Sequence, residues 1–281
     1  MIKLLYLKAL NLYRNRGLSF LILALINFGL ARVFGLSIGK STSPKINRKA
    51  RSIFKGRSLK RSNKGYFYVD PMPSLDQLDS YYSMVYWESR GEKNNGINLR
   101  DIVHYQLLKT NLHNFFPSSV KCILNFGAGH GGISHLFWLK GFDVINVEPS
   151  GLQNYYDERF QTYKSVYDVP DNSIDLIYGS HSLEHVQNIE NFKEQVSRIL
   201  KSDAILFWEV PNAKNSKNGS MNNRIDIPHT YYFFEEFFEN WFDEVILIDS
   251  YNHSHVDGVI ENWKSYQNKD GSVIRALGRI R

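Results

Sequence analysis

The chain has 281 residues, 43% hydrophobic and 14% aromatic, which is enough to bury a sizeable core and excludes disorder throughout. Its single cysteine, Cys122, excludes an internal disulfide framework and a cysteine-built zinc cluster, and fits a reducing compartment. The net charge of +6 is unevenly held: residues 1–64 carry fifteen Lys or Arg and no acid, leaving 19 basic and 28 acidic residues for the rest.

A basic arm beside an acidic body points to an anionic partner. Within the arm, residues 18–31 are largely apolar, but fourteen residues fall short of the ~20 that span a ~30 Å hydrocarbon core. Extending the run to Ile38 buries Arg32. Lys3, Lys8, Arg14 and Arg16 precede the run, and a dense basic series from Lys40 to Lys64 comes after it. The pattern predicts an apolar helix lying on an anionic membrane surface; a helix buried in the protein itself and a mitochondrial presequence are the alternatives. Nucleic acid is the weaker partner, because the charges alternate with Leu, Ile and Phe instead of stacking platforms. Residues 40–64 read as a poorly packed linker, and the expected location is cytoplasmic, peripheral or anchored at the inner face of a membrane.

From Gly65 an extended aromatic run is stopped by Pro71 and Pro73. Ser74 with Gln77 forms a capping box for a helix over 75–83. After a polar loop at 91–96, Ile102, Tyr105, Leu108, Leu112 and Phe115 recur at helical spacing within 97–116. Strands are predicted over 120–125, 142–147, 161–166, 174–178, 204–210, 244–248 and 272–280. Helices are predicted over 133–139, 152–160, 189–200 and 232–241. Strands alternating with helices imply a mostly parallel sheet covered on both faces.

The sharpest signal is the turn after the first of these strands, Gly127-Ala128-Gly129-His130-Gly131-Gly132. Glycines permit a tight turn and close ligand approach, and the helix behind them offers unpaired N–H groups. Glu148, sixteen residues after Gly132 and at the end of the next strand, is placed to accept hydrogen bonds from ribose hydroxyls. Gly127, Gly129 and Gly132 satisfy the dinucleotide fingerprint G-x-G-x-x-G, whereas Gly127, Gly129 and Gly131 satisfy G-x-G-x-G.

The second pattern, together with the order of the downstream segments, resembles the class I S-adenosylmethionine-dependent methyltransferases, in particular bacterial type-11 and type-23-like domains. Carrying the resemblance are the strand ending at Glu148, the acid-containing strand 173–177 with Asp175, His181-Ser182-Leu183-Glu184-His185-Val186, the helix end Arg198-Ile199-Leu200-Lys201, the strand ending Glu209-Val210-Pro211-Asn212, and Pro228-His229-Thr230-Tyr231-Tyr232. It covers residues 98–281. Residues 65–97 form an N-terminal cap or lead-in, of which 65–87 looks like that of bacterial members acting on sugars or surface polysaccharides, and the arm 1–64 has no counterpart.

The resemblance implies a doubly wound, mostly parallel seven-stranded sheet with an antiparallel last strand, a Rossmann-like fold. It implies S-adenosylmethionine as cofactor, held by Asn125, Gly127, Ala128, Gly129, Gly131, Glu148, Val166, Tyr167 and His181. Asn125 stands where the family usually has an acid; its amide oxygen can still accept a hydrogen bond from the loop or the ligand. A base is needed only when the acceptor proton must leave. His181, coming directly after its strand, is the first candidate and His229 the second, with Glu209 and Asn212 at the neighbouring strand end. Glu184 and His185 are read as fixing their loop; the pair lacks a firm further ligand, so no metal is expected. Tyr81, Tyr82, Tyr86 and Trp87 are candidates to roof the acceptor, a sugar, glycan or lipid-linked hydroxyl. The competing readings are an NAD(P)-dependent oxidoreductase on the same glycines and a non-catalytic scaffold on a degenerate methyltransferase fold.

Overall fold

The computed structural model describes residues 35–38, 44–82, 96–112, 116, 118–150, 159–214, 224–251 and 271–280, with positions 18, 22, 25, 26 and 33 of the arm. The helix expected at 152–160 and the side chains of Tyr86 and Trp87 lie outside the described residues.

The chain enters through a short strand, β1 (Leu36–Ile38), then α1 (Pro44–Phe54), β2 (Ser58–Arg61) and β3 (Tyr66–Asp70). Ala50, Ile53 and Phe54 recur at i, i+3 and i+4 on α1. They are buried with Val69, Leu78, Tyr81 and Tyr232 in one apolar cluster. The poorly packed linker expected over 40–64 is therefore packed from α1 onward. Its apolar residues form a single helical stripe among the cations, and charge density conceals that stripe in the sequence. α2 (Leu75–Tyr81) starts where the capping box places it: Gln77 N–H donates to Ser74 Oγ at 3.3 Å and Ser74 N–H to Gln77 Oε1 at 3.0 Å. Next comes α3 (Leu99–Asn111), capped in the same way by Asn98 and Asp101.

The body continues as β4 (Cys122–Phe126), α4 (Gly132–Leu139), β5 (Asp143–Val147), β6 (Gln161–Tyr163), β7 (Ile174–Ser180), α5 (Ile189–Ile199), β8 (Leu200–Pro211), β9 (Ile225–Ile227), β10 (Tyr231–Phe233), α6 (Glu235–Trp241), β11 (Glu244–Tyr251) and β12 (Val273–Arg279). Seven strands form one sheet in the order β11-β12-β8-β7-β4-β5-β6. β4 to β8 pair in parallel. β12 is inserted antiparallel to both its neighbours. Side chains alternate across the pleat. Ile205 and Phe207 of β8 pack with Leu108, Ile133 and Phe137 from α3 and α4, while Leu206, Trp208 and Val210 pack with Phe192, Val196 and Trp241 from α5 and α6. Burial on both faces is what the near-continuous apolar strands require.

Two expectations are corrected. The helix predicted over 232–241 begins only at Glu235; Tyr231–Phe233 is a strand paired antiparallel with β3 in a three-stranded sheet with β2. Its aromatic run suits strand or helix alike, and its partner lies far earlier in the chain. The strand expected over 161–166 stops at Tyr163 and passes into a 3-10 turn over Val166–Asp168.

Candidate active site

The predicted site residues lie at the carboxyl ends of β4, β5, β6 and β7, where open α/β sheets bind ligands, with His229 in the β9–β10 connection. Gly127, Gly129 and Gly131 take φ of 70°, 56° and 74°, a left-handed backbone that other residues rarely adopt. The turn is tied down by Gly127 N–H and Ala128 N–H, which donate to Val147 O at 2.8 and 3.1 Å. A Cβ on Gly127 would stand 2.4 Å from Ser182 Cβ, and one on Gly132 would stand 2.6 Å from Asp101 Oδ2. These two glycines let the protein close on itself. Between them Gly129 N–H donates to Glu148 and Gly131 N–H to Ala128 O at 2.9 Å, and Gly131 caps α4 without a side chain, so the turn is a fixed backbone loop at the start of α4.

Glu148, 4% exposed, accepts from Gly129 N–H at 2.8 Å and Ser150 N–H at 3.1 Å. A carboxylate has about four acceptor positions, and these two bonds fix its orientation at the end of β5. Val166 is buried and Tyr167 is 53% exposed, offering an apolar wall and an open ring after β6. Arg198 of α5 holds this turn by donating to the carbonyls of Val166 (3.1 Å), Tyr167 (3.3 Å) and Val169 (2.9 Å). Asn125 does not point its amide nitrogen at the turn: Nδ2 donates to Ser134 Oγ at 2.8 Å, and Ser134 Oγ donates to Asn146 Oδ1 at 2.7 Å. The residue that replaces the family's acid thus joins β4, α4 and β5 internally. A fixed carboxylate, a left-handed glycine turn and an exposed aromatic ring together fit an adenosyl cofactor.

Across the turn, β7 ends at Ser180 and His181 takes φ 52°, uncommon for a residue with a Cβ. Its neighbour Ser182 is the residue packed on Gly127, so His181 stands beside the glycine turn. His181 Nδ1 is 3.3 Å from Glu184 Oε1, and its Nε2 is 3.6 Å from Glu209 Oε1. Thr230 N–H donates to Glu184 O at 2.8 Å, and Thr230 Oγ1 lies 2.6 Å from Val186 O. This junction brings His229 next to His185, with ring centroids 5.0 Å apart. Both candidate bases thus reach one corner of the molecule. Burial alone would raise the Glu184 carboxyl, but His185, His181 and His229 outweigh it and bring it down to about 2. Tyr81 and Tyr82 are buried in the N-terminal cluster, and Tyr82 borders the site, 5.8 Å from the His185 ring.

Glu209 and Asn212 are engaged inside the protein. Asn212 Nδ2 donates to Gly271 O at 2.9 Å. Glu209 is fully buried and accepts from Ser180 Oγ (2.9 Å), Tyr251 Oη (2.6 Å), His104 Nε2 (2.7 Å) and Arg275 Nε (2.9 Å), with Arg100 Nη2 at 3.1 Å. Sequence reasoning missed Arg100, His104, Tyr251 and Arg275. The available signals were a lone Arg in the apolar strand Val273-Ile274-Arg275-Ala276-Leu277 and the Asn98–Asp101 capping box ahead of Arg100 and His104.

His104 donates to Glu209 through Nε2 and accepts from Tyr178 Oη at Nδ1, 2.6 Å away, the tautomer this network assigns to a neutral ring. Burial outweighs the pull of Glu209 and lowers His104 to about 4. A group depressed on folding binds its proton first in the unfolded chain, so stability falls as pH drops from about 6.5 to about 4. The expected loss over that window is on the order of 3 kcal/mol. Urea unfolding at pH 7 and pH 4.5 measures it, and a His104→Asn protein should lack the slope; an equal slope there would refute the assignment.

An antiparallel strand inserted between β8 and β11, in place of a sixth parallel strand, separates a methyltransferase sheet from a dehydrogenase sheet. The comparisons agree. The family described as a methyltransferase domain matches residues 99–264, more than half of the chain, and the chain belongs to that family. The chain carries a methyltransferase domain on a class I, Rossmann-like sheet. No curated protein matches it. Among solved structures, it is similar to an S-adenosylmethionine-dependent methyltransferase of Clostridium acetobutylicum ATCC 824 (12% identity, TM-score 0.47, 64% of this chain and 91% of that one). It is also similar to a SAM-dependent methyltransferase of Archaeoglobus fulgidus (17%, 0.42, 62% and 93%). A third similar structure is a protein described as a methyltransferase from an antibiotic biosynthesis pathway of Anabaena variabilis (20%, 0.37); 43% of this chain is covered, and about half of that one, 49%.

Proposed function

We propose that the protein transfers a methyl group from S-adenosylmethionine to a hydroxyl oxygen of a sugar or glycan, with His181 as the base. The observation that carries this reading is His181 itself: it is held in a left-handed backbone beside the glycine turn, with a buried carboxylate behind its Nδ1. When bound, S-adenosylmethionine supplies a methyl already activated on a sulfonium sulfur. Gly127, Ala128, Gly129, Gly131 and Glu148 hold the donor, Val166 and Tyr167 flank its adenine, and Asn125 braces the turn from behind. In such a transfer the acceptor oxygen would take the methyl as the carbon–sulfur bond breaks, the electron pair leaving with sulfur. The hydroxyl proton passes to the His181 ring, and Glu184 and Glu209, 3.3 and 3.6 Å from its two nitrogens, stabilise the imidazolium that results. His229 is the second imidazole of this corner.

The sugar reading is supported by a hollow of about 280 Å³ walled by Tyr66, Tyr68, Met72 and Tyr231, with Gln187 and Asn188 on its rim. Aromatic faces suit the C–H surface of a sugar ring, and side-chain amides suit its hydroxyls. Gln187 and Asn188 continue the segment that carries Glu184 and His185.

Isothermal titration with S-adenosylmethionine tests the donor half. Binding is expected for the intact chain and is expected to be lost in Gly127→Ala, whose added Cβ meets Ser182. Absence of heat from the intact chain overturns the reading. Labelled donor should then mark a glycan or glycolipid fraction of cell extract; label confined to protein would refute the acceptor class.

The arm supports a membrane-surface location. Leu18, Ile22, Leu25 and Ile26 lie on one helical stripe and are 47–59% exposed, amid the basic, acid-free sequence 1–64. Among the described residues no helix is long and apolar enough to cross a membrane. Full-length protein is expected to sediment with vesicles containing anionic lipid, and Leu18→Gln, Ile22→Gln and Leu25→Gln together should release it; equal sedimentation would sink this location.

A further inference from the structure

Glu184 is the least expected charge in the molecule: 1% exposed, with neither carboxylate oxygen accepting a hydrogen bond. A buried carboxylate normally gathers donors, as Glu209 does. Glu184 instead aims Oε1 at three imidazoles. His181 Nδ1 is 3.3 Å away, His185 Nε2 3.9 Å and His229 Nε2 4.0 Å. The ligand-capable atoms of Glu184, His185 and His229 all lie within 4.8 Å of one another.

We infer that Glu184, His185 and His229 form a binding site for one divalent transition-metal ion at the acceptor end of the active site. Two imidazoles and one carboxylate are the donor set of zinc, cobalt, manganese and iron(II), whereas magnesium and calcium prefer oxygen alone. Bonds of about 2.1 Å from one ion to tetrahedral ligands set the ligand atoms roughly 3.4 Å apart. The 3.9 and 4.0 Å separations from Glu184 therefore close by about half an ångström on binding, and the two imidazoles, within 4.8 Å of each other, turn towards one another by rotation of their side chains.

Two further features suit a metal ligand. His229 turns Nε2 to Glu184 and Nδ1 to Asp226 Oδ2, 4.0 Å away. An acid behind the far nitrogen is the arrangement that orients and strengthens ligating histidines. Thr230, next to His229, fastens the β9–β10 connection to the backbone of Glu184 and Val186, so the donors from two distant segments are held before any ion arrives. The sequence placed no metal here because His229 stands 44 residues after His185 and only the fold makes them neighbours. This inference rests on the methyl-transfer reading for the ion's role. An ion there would bind the acceptor oxygen, lower the pKa of its hydroxyl and leave His181 to take the proton.

Titration of chelator-treated full-length protein with cobalt(II), monitored by its visible ligand-field absorption, tests the site. One ion per chain is expected. His229→Asn and Glu184→Gln should each weaken binding at least tenfold, and Asp226→Asn should weaken it about tenfold. Thermal melting controls for folding. If Glu184→Gln unfolds, His229→Asn, on a partly exposed side chain, decides alone. No absorption change in the intact protein, or unaltered affinity in His229→Asn, overturns the inference. Titration with S-adenosylmethionine in the presence of chelator separates the two readings. Donor binding without cobalt binding removes only the metal site, and loss of donor binding removes the methyltransferase reading.

Discussion

Glu209→Leu is expected to destabilise the fold by about 3–5 kcal/mol, the cost of leaving a buried charge without its partner. Arg275 and His104 are both fully buried, and both meet this carboxylate at 2.9 and 2.7 Å. Arg275 also stacks over the Tyr251 ring at 3.4 Å, so its guanidinium cannot swing to water without breaking the β11–β12 pairing around it. Burial would raise the Glu209 carboxyl, yet His104, Arg100 and Arg275 hold it well below the usual range. It therefore stays ionised down to acid pH, and its contribution is lost only as pH falls through that depressed value. The urea midpoint at constant m measures the loss. Glu209→Leu combined with Arg275→Met should recover a large part of it, because removing both charges removes the penalty. A single-variant loss below about 1 kcal/mol would show that water reaches the cluster.

His181→Asn is expected to lower kcat by about 10²- to 10⁴-fold, the range attributable to a positioned base. The melting temperature and donor affinity should stay near those of the unaltered chain. Asparagine tolerates the left-handed backbone at φ 52° better than other residues with a Cβ, so the substitution removes the imidazole without adding strain. Rates within about threefold of the unaltered chain would remove His181 from the reaction and leave a packing role.

Much of this architecture is legible locally. The capping box at Ser74 and Gln77, the glycine turn before α4 and the apolar runs of β4, β5, β7 and β8 each declare themselves within a few residues. Backbone conformation and strand burial are short-range consequences of side-chain type. The cationic stretch 44–61 misleads, because a stripe of Ala50, Ile53 and Phe54 is sparse against its charges. Tyr231–Phe233 misleads because aromatic residues suit either period, and β3 alone makes them a strand.

Glycine spacing and the alternation of strand and helix were enough to mark the turn between β4 and α4 and the acid after β5, since a left-handed turn and a strand terminus are set by a few neighbouring residues. The buried charge clusters obey a different rule. Glu184, His185 and His229, like Glu209, His104 and Arg275, come from segments 44 to 171 residues apart. No window of sequence carries the cost of burying their charges. That cost is met only when β7, β8, β12 and the β9–β10 connection have packed, because each buried charge is stable solely in the company of the others.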